Sequence, residues 1–221
     1  MNKHVLVVLP HPDDEAFGVA GLIALNRKEG IPVTYACGTL GEMGRNMGNP
    51  LFANRETLPL IRKRELEDAC QAMDIQDLRM LGLRDKTLEF ENIEHLADII
   101  EEIINDVNPS LVITFYPGFG VHPDHDACGA AVIHALKRRP IAERPVTYCI
   151  PITRDRVDIL GEPDVTINIT SVADIKMNAL KAHRSQTEGM LKQMEEKIIS
   201  KNPEAMQWFE KEVYWTYKWD D

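Results

Sequence analysis

Val5-Leu6-Val7-Val8-Leu9-Pro10-His11-Pro12-Asp13-Asp14-Glu15 is the stretch on which the fold turns. Its apolar half is short, β-branched and without helical spacing, as in a strand buried on both faces of a sheet. Two prolines then end the ladder, since proline offers no N–H and pushes its predecessor into an extended form. Between and after them come one imidazole and three carboxylates. Such polar density makes no sense as packing, whereas open α/β sheets build their sites at the carboxyl ends of strands.

Outward from this stretch, Phe17 to Arg27 has the apolar spacing of a helix, ended by Gly30. Ile31 to Cys37 predicts a second buried strand that opens into a glycine-rich loop, Gly38 to Pro50. Leu58 to Met73 reads as a helix, Leu78 to Leu81 as a short strand ending in Gly82-Leu83-Arg84-Asp85, and Ile93 to Val107 as a strongly periodic helix. Ser110 to Phe115 predicts the next strand. It runs through a loop, Tyr116 to Val121, into His122-Pro123-Asp124-His125 and a small-residue helix from about Asp126 to Lys137. Arg144 to Ile150 and Asp164 to Ile169 read as strands, and Val172 to His183 as a helix capped by Ser171. A charged helix around Met190 to Ile199 and an aromatic segment, Trp208 to Trp219, complete the chain.

Strands alternating with helices predict a Rossmann-like α/β fold, a mostly parallel sheet with helices on both faces, with residues 1–221 as one domain. Right-handed crossovers place every post-strand loop on one edge of the sheet. The loops at His11, at Gly38 to Pro50 and at His122 are therefore expected to meet, with a metal site at the carboxyl ends of the strands.

Composition narrows the function. With 221 residues, 44% hydrophobic and 27% charged, the chain has an ordinary globular make-up. A formal net charge of −10 argues against a nucleic-acid or anionic-membrane surface. No apolar run approaches the roughly 20 residues that span a bilayer. Met1-Asn2-Lys3-His4 leads into the first strand without a signal-peptide h-region, so the expected location is cytoplasmic. Cys37, Cys70, Cys128 and Cys149 form no Cys-x-x-Cys pair and are expected as free thiols.

The converging loops supply His11, Asp13, Asp14, Glu15, His122, Asp124 and His125. Two imidazoles and a carboxylate with an open position suit a catalytic divalent ion. Zn2+ is the default for a mixed His/Asp set, and Fe2+ fits a similar facial arrangement. A second carboxylate beside the ligands can act as a base on water. One His-Pro-Asp alone makes a turn, because proline and aspartate both favour turns; two, each after a buried strand, argue for a site. Glu15 suits a first-turn carboxylate favoured by the helix dipole. His4, His95 and His134 lie on or beside regular elements without acidic partners, and Arg64 reads as a solvated helix charge.

His11-Pro12-Asp13-Asp14-Glu15 and His122-Pro123-Asp124-His125 resemble the signature motifs of the LmbE-like, PIG-L-type zinc deacetylases, which remove acetyl from N-acetylglucosamine conjugates. Gly41-Glu42-Met43-Gly44, Arg62-Lys63-Arg64-Glu65-Leu66 and Ala182-His183-Arg184-Ser185-Gln186 resemble further family segments. Within the family the sequence is most similar to the deacetylases of bacillithiol biosynthesis, which act on N-acetylglucosaminyl malate. The resemblance implies that His11, Asp14 and His125 bind zinc, Asp13 is the general base, His122 faces the reacting carbonyl and Asp124 orients an imidazole. Some relatives have a tyrosine where Gly120 stands.

Glu42, Arg45 and Arg62 are the expected substrate contacts. A malate aglycone calls for arginine, and Arg45, Arg55, Arg62 and Arg184 are its candidates. A homo-oligomer is implied only by analogy with relatives. The nearest rival is a zinc amidase cleaving a thiol-sugar S-conjugate, which a comparison of acetate release with amide cleavage of such a conjugate separates. A nucleotide-binding Rossmann protein is disfavoured: no Gly-x-Gly-x-x-Gly follows the first strand, and carboxylates occupy the place of a pyrophosphate. A metal-binding protein without catalysis is disfavoured by the spare carboxylate.

Overall fold

In the computed structural model, which describes residues 3–200 and 202–220, β1 (Val5–Leu9) is buried along its whole length. Its two-residue alternation sends Val5, Val7 and Leu9 into one core and Leu6 and Val8 into another, on the opposite face. Each such aliphatic side chain contributes about 1.5–3 kcal/mol by leaving water. The first core is closed by α2 (Ala20–Lys28), α3 (Leu58–Ala72) and α7 (Ala173–Ala182). The second is closed by α4 (Ile93–Val107) and α5 (Pro123–Lys137). A strand apolar at every position is what a sheet covered on both faces requires.

β1 is an inner strand, third of seven, in a sheet with the order β3-β2-β1-β4-β5-β7-β6. β2 (Val33–Cys37), β3 (Asp77–Met80), β4 (Leu111–Phe115) and β5 (Val146–Ile150) are joined to it by parallel pairings. β7 (Lys211–Thr216) pairs antiparallel with both β5 and β6 (Val165–Asn168). The chain first winds from β1 outward to β3 and then crosses back to β4 on the other side of β1. The crevice between the carboxyl ends of β1 and β4 is thus the topological switch point, where such sheets bind ligands. No helix among the described residues is long and apolar enough to cross a membrane.

The structure departs from the sequence reading in several places, each for a local reason. The first helix begins early, as α1 (Asp14–Gly18), and breaks at Val19 before α2 starts. The Glu212 carboxylate accepts the N–H groups of Gly21 and Leu22, both at 2.9 Å, so the start of α2 is capped from across the fold. α5 begins at Pro123 rather than Asp126: proline is preorganised for the first helical position, and His122 accepts the Asp124 N–H as N-cap. Ser171 does not cap α7, which begins after a 3₁₀ turn, Thr170–Val172; the Ser171 carbonyl takes the Lys28 ammonium at 3.0 Å instead. The charged helix starts sooner, as α8 (Arg184–Ile199), and the aromatic segment folds as α9 (Pro203–Glu210) followed by β7. His134 does have an acidic partner, Glu94 at 2.9 Å, because α4 and α5 pack side by side. A short helix, α6 (Arg156–Leu160), follows β5. All four cysteines are free and buried.

Candidate metal centre and active site

Neighbouring parallel strands deliver the two His-Pro-Asp segments side by side, with Val5 paired to Leu111 and Val7 to Ile113. α5 lies flush against the end of β4. At Gly129 a Cβ would stand 2.4 Å from the Phe115 carbonyl oxygen, so this contact admits only glycine. One turn earlier, the His125 ring stacks on Phe115 with centroids 3.9 Å apart.

His11 Nδ1 lies 3.2 Å from His125 Nε2, and the Asp14 carboxylate stands 3.5 Å from the first and 3.4 Å from the second. Donors about 2.0–2.1 Å from a tetrahedral zinc are separated by about 3.3–3.4 Å, so three of the four corners are already spaced for such an ion. The outer atoms of both rings fix which nitrogen is free. His125 Nδ1 donates to the Gly120 carbonyl at 2.8 Å, and His11 Nε2 faces Asp85 at 3.2 Å and Asp124 at 3.3 Å. His11 Nδ1 and His125 Nε2 thus face each other beside a carboxylate, a donor set that fits a divalent metal, which would take the place of the proton on His11 Nδ1.

Burial opposes charge on His11, but Asp124, Asp14 and Asp85 overcome it and push its pKa up to about 11. Burial likewise disfavours the Asp14 carboxylate, yet His125 and His11 hold its pKa well below the usual range. This is an anionic cradle that fits a cation. Asp85, buried at the end of the β3 loop, was not marked by sequence reasoning; its position on the carboxyl edge of the sheet is the signal that could have found it. It accepts the Met43 N–H at 2.7 Å, while Asp124 accepts the N–H groups of Lys86 at 2.6 Å and Leu88 at 3.2 Å. The loops after β1, β2, β3 and β4 are knitted together by these carboxylates, so they meet as expected.

Asp13 stands beside the three donors without joining them. Its φ of 111° is rare for a residue with a side chain, and its N–H is held by Glu15 Oε2 at 3.0 Å. Glu15 is wholly buried and bonds His183, also wholly buried, with the Tyr35 hydroxyl 3.1 Å away. Arg62 Nη2 reaches Asp13 Oδ2 at 3.1 Å and also bonds the Pro12 carbonyl, while Nη1 bonds the Gly41 carbonyl at 3.0 Å. Gly41, at φ 61°, leaves the guanidinium its room: a Cβ there would lie 1.8 Å from Nη1. Burial raises the Asp13 carboxyl to about 6, against the opposing pull of Arg62.

A cavity of about 690 Å³ opens over these groups, lined by His11, Asp13, Asp14, Arg62, Asp85, His122 and His125, and beyond them by Phe17, Trp208 and Arg156. His122 Nδ1 accepts the Asp124 N–H at 3.1 Å, which leaves the proton of the neutral ring on Nε2. Burial, then His11 and His125, lower the His122 pKa and favour that neutral form. Glu42 and Arg45 do not line the cavity. The Glu42 carboxylate takes the Asp85 N–H at 3.2 Å, and the Arg45 side chain is exposed. Arg55 and Arg184 also lie outside it; Arg184 pairs with Glu188 at 3.4 Å and covers the Phe52 ring. At Gly120 a Cβ would come within 2.5 Å of the His125 Cβ, so this backbone has no place for the tyrosine of some relatives.

Residues 6–136 match the family model described as GlcNAc-PI de-N-acetylase, PIG-L. The chain is 70% identical over 221 residues, covering 100% of both proteins, to one from Bacillus subtilis (strain 168) named probable N-acetyl-alpha-D-glucosaminyl L-malate deacetylase 2. Its fold is similar to that of N,N'-diacetylchitobiose deacetylase from Pyrococcus horikoshii, with a TM-score of 0.74 at 22% identity, covering 97% of this chain and 84% of that one. It is equally similar, with a TM-score of 0.74 at 17% identity and coverage of 99% and 98%, to 4-carboxy-2-hydroxymuconate hydratase from Pseudomonas putida KT2440. The fold alone therefore does not choose the reaction. The family match runs from β1 through α5 and takes in both His-Pro-Asp segments, and with it the chain belongs to the GlcNAc-PI de-N-acetylase (PIG-L) family.

Proposed function

We propose that this protein is a zinc-dependent N-deacetylase that hydrolyses the acetamide of N-acetylglucosaminyl malate, releasing acetate and the free amino sugar for bacillithiol biosynthesis. One observation carries the reaction: His11 Nδ1 and His125 Nε2, from motifs 114 residues apart, face each other at 3.2 Å, while Asp13 lines the same cavity outside the donor set, held by Arg62. The malate aglycone is supported by full-length similarity to the relative named for it.

His11, Asp14 and His125 would hold the zinc, and Asp85 and Asp124 fix the His11 ring by its far nitrogen. When bound, such an ion supplies Lewis-acid polarisation of the acyl oxygen and acidification of water, from a pKa of about 15.7 towards 7. Asp13 takes the proton from the water that attacks the acetyl carbon. Its carboxyl, raised to about 6, is strong enough as a base to accept that proton and weak enough to release it. His122 donates its Nε2–H to the oxyanion that forms as the carbonyl becomes tetrahedral. Collapse breaks the C–N bond, and the departing amine needs the proton that Asp13 has taken up. Four buried free thiols support a reducing compartment, the cytoplasm, as its location.

Acetate release from N-acetylglucosamine, its malate glycoside and chitobiose, with chelator and with zinc restored, tests this reading. The malate glycoside is expected to react fastest, and chelation to stop it. Release of acetate from none of the three with zinc present excludes the proposal.

A further inference from the structure

The cavity extends well past the groups that handle the acetamide. Because β7 runs antiparallel to β5, with Cys149 opposite Trp215, its first residues project beyond the carboxyl end of β5, on the same edge as the metal centre. The far wall is formed there by Ile150 to Ile152, by Trp215 and by two cations from separate elements, Arg156 on α6 and Lys211 on β7. Near the metal donors the lining is rich in carboxylates; here it is not.

The surrounding hydrogen bonds decide which cations are free to bind a ligand. Lys176 is buried and committed to Glu212 at 2.8 Å. Glu212 also accepts from Gly21, Leu22 and the Tyr214 hydroxyl, so it has nothing left for Lys211. Arg62 is spent on Asp13 and two carbonyls. Arg156 uses Nη1 on the Thr153 carbonyl at 2.7 Å. Neither Arg156 nor Lys211 has a carboxylate within ion-pair distance among the described residues, although the chain carries a net charge of −10. Two cations without a carboxylate partner, both lining one cavity, call for an anion.

We propose that Arg156 and Lys211 form a subsite for the two carboxylates of the aglycone, and so set the preference for a dicarboxylate glycoside over a neutral one. The inference rests on the deacetylase reading and adds to it the residues that recognise the non-reacting half of the substrate. Arg156 presents a planar fork suited to one carboxylate, and Lys211 a point charge for the other. Phe17 and Trp208, with ring centroids 5.7 Å apart, add an apolar wall to the same cavity. The volume of about 690 Å³ suits a ligand larger than a single sugar.

Two measurements on the zinc-loaded protein test the subsite. The first is the ratio of kcat/KM for N-acetylglucosaminyl malate to that for the methyl glycoside of N-acetylglucosamine. Arg156→Gln with Lys211→Gln is expected to cut this ratio tenfold or more, with the loss carried by KM. An unchanged ratio, or an equal loss on both glycosides, overturns the subsite. The second is calorimetric titration of the malate glycoside into Asp13→Asn protein with and without the two changes. Kd is expected to rise tenfold or more and to be salt-sensitive only while both cations are present; equal Kd values overturn the subsite. If the wild type releases no acetate yet this titration shows the expected loss, the reaction assigned above is wrong and the anion site stands.

Discussion

Asp13 is held against its own backbone preference. A φ of 111° costs an L-residue on the order of 1–3 kcal/mol, and the bond from its N–H to Glu15 and the bond from Arg62 keep it there. Asp13→Asn is expected to keep its metal, measured by elemental analysis, and to lose about a hundredfold or more in turnover. Near-normal turnover of the metal-loaded variant would falsify the role of Asp13 as base. With its carboxyl raised to about 6, Asp13 is unprotonated and competent above that pH and loses function as pH falls through it. A neighbouring dication favours the charged form, so the acid limb of kcat/KM is expected at or below about 6; a limb well above 6 points to a different base. Asp85→Asn removes one carboxylate from His11 Nε2, and metal affinity should drop about 10–100-fold in competition with a chromogenic chelator. His11, Asp13 and Asp14 were legible in the sequence because a strand that is apolar at every position and then abruptly polar announces a site, and His125 because a second His-Pro-Asp segment follows another strand. Asp85 and Arg156 were not: one is a lone charge in a loop and the other opens a short helix the sequence pattern does not show, and only tertiary contacts distinguish them from the exposed Arg45 or Arg55.

At the level of elements, β1 and β7 mark the two extremes of legibility. β1 carries five apolar residues and is unmistakable. β7 reads Lys-Glu-Val-Tyr-Trp-Thr, and its charged start hides a strand whose glutamate is buried. No alternation rule anticipates a carboxylate pointing inward to meet Lys176, Tyr214 and the start of α2. Glu212 joins three elements, so Glu212→Ala leaves a buried ammonium and two helix N–H groups without their acceptor. Breaking such a buried pair typically costs about 3–5 kcal/mol. For a chain of this size that lowers the thermal midpoint on the order of 10 °C. A midpoint within 2–3 °C of wild type, about what 1 kcal/mol produces, would show that water replaces the carboxylate there.

On the scale of the whole molecule, the sheet order puts the site where four loops meet, and the carboxylates of Asp14, Asp85 and Asp124 converge there on the His11 and His125 rings, an arrangement that a divalent cation would fit. Zinc present at about 100 times its Kd should stabilise the fold by about 2.7 kcal/mol, a rise of roughly 5–10 °C in thermal midpoint over chelated protein. The same comparison on His125→Ala should show almost none of that rise. A wild type that melts identically with zinc and with chelator rules out the three-donor centre. The separation of 114 residues between His11 and His125 has a consequence for biogenesis. At ribosomal speeds of about 5–20 residues per second, the first imidazole leaves the exit tunnel on the order of ten seconds before the second. For most of that interval β1 can pair with β2 but not with β4, and the nascent chain holds two of the three donors, His11 and Asp14. An ion held by all three donors would therefore arrive late, after the segment between them has closed.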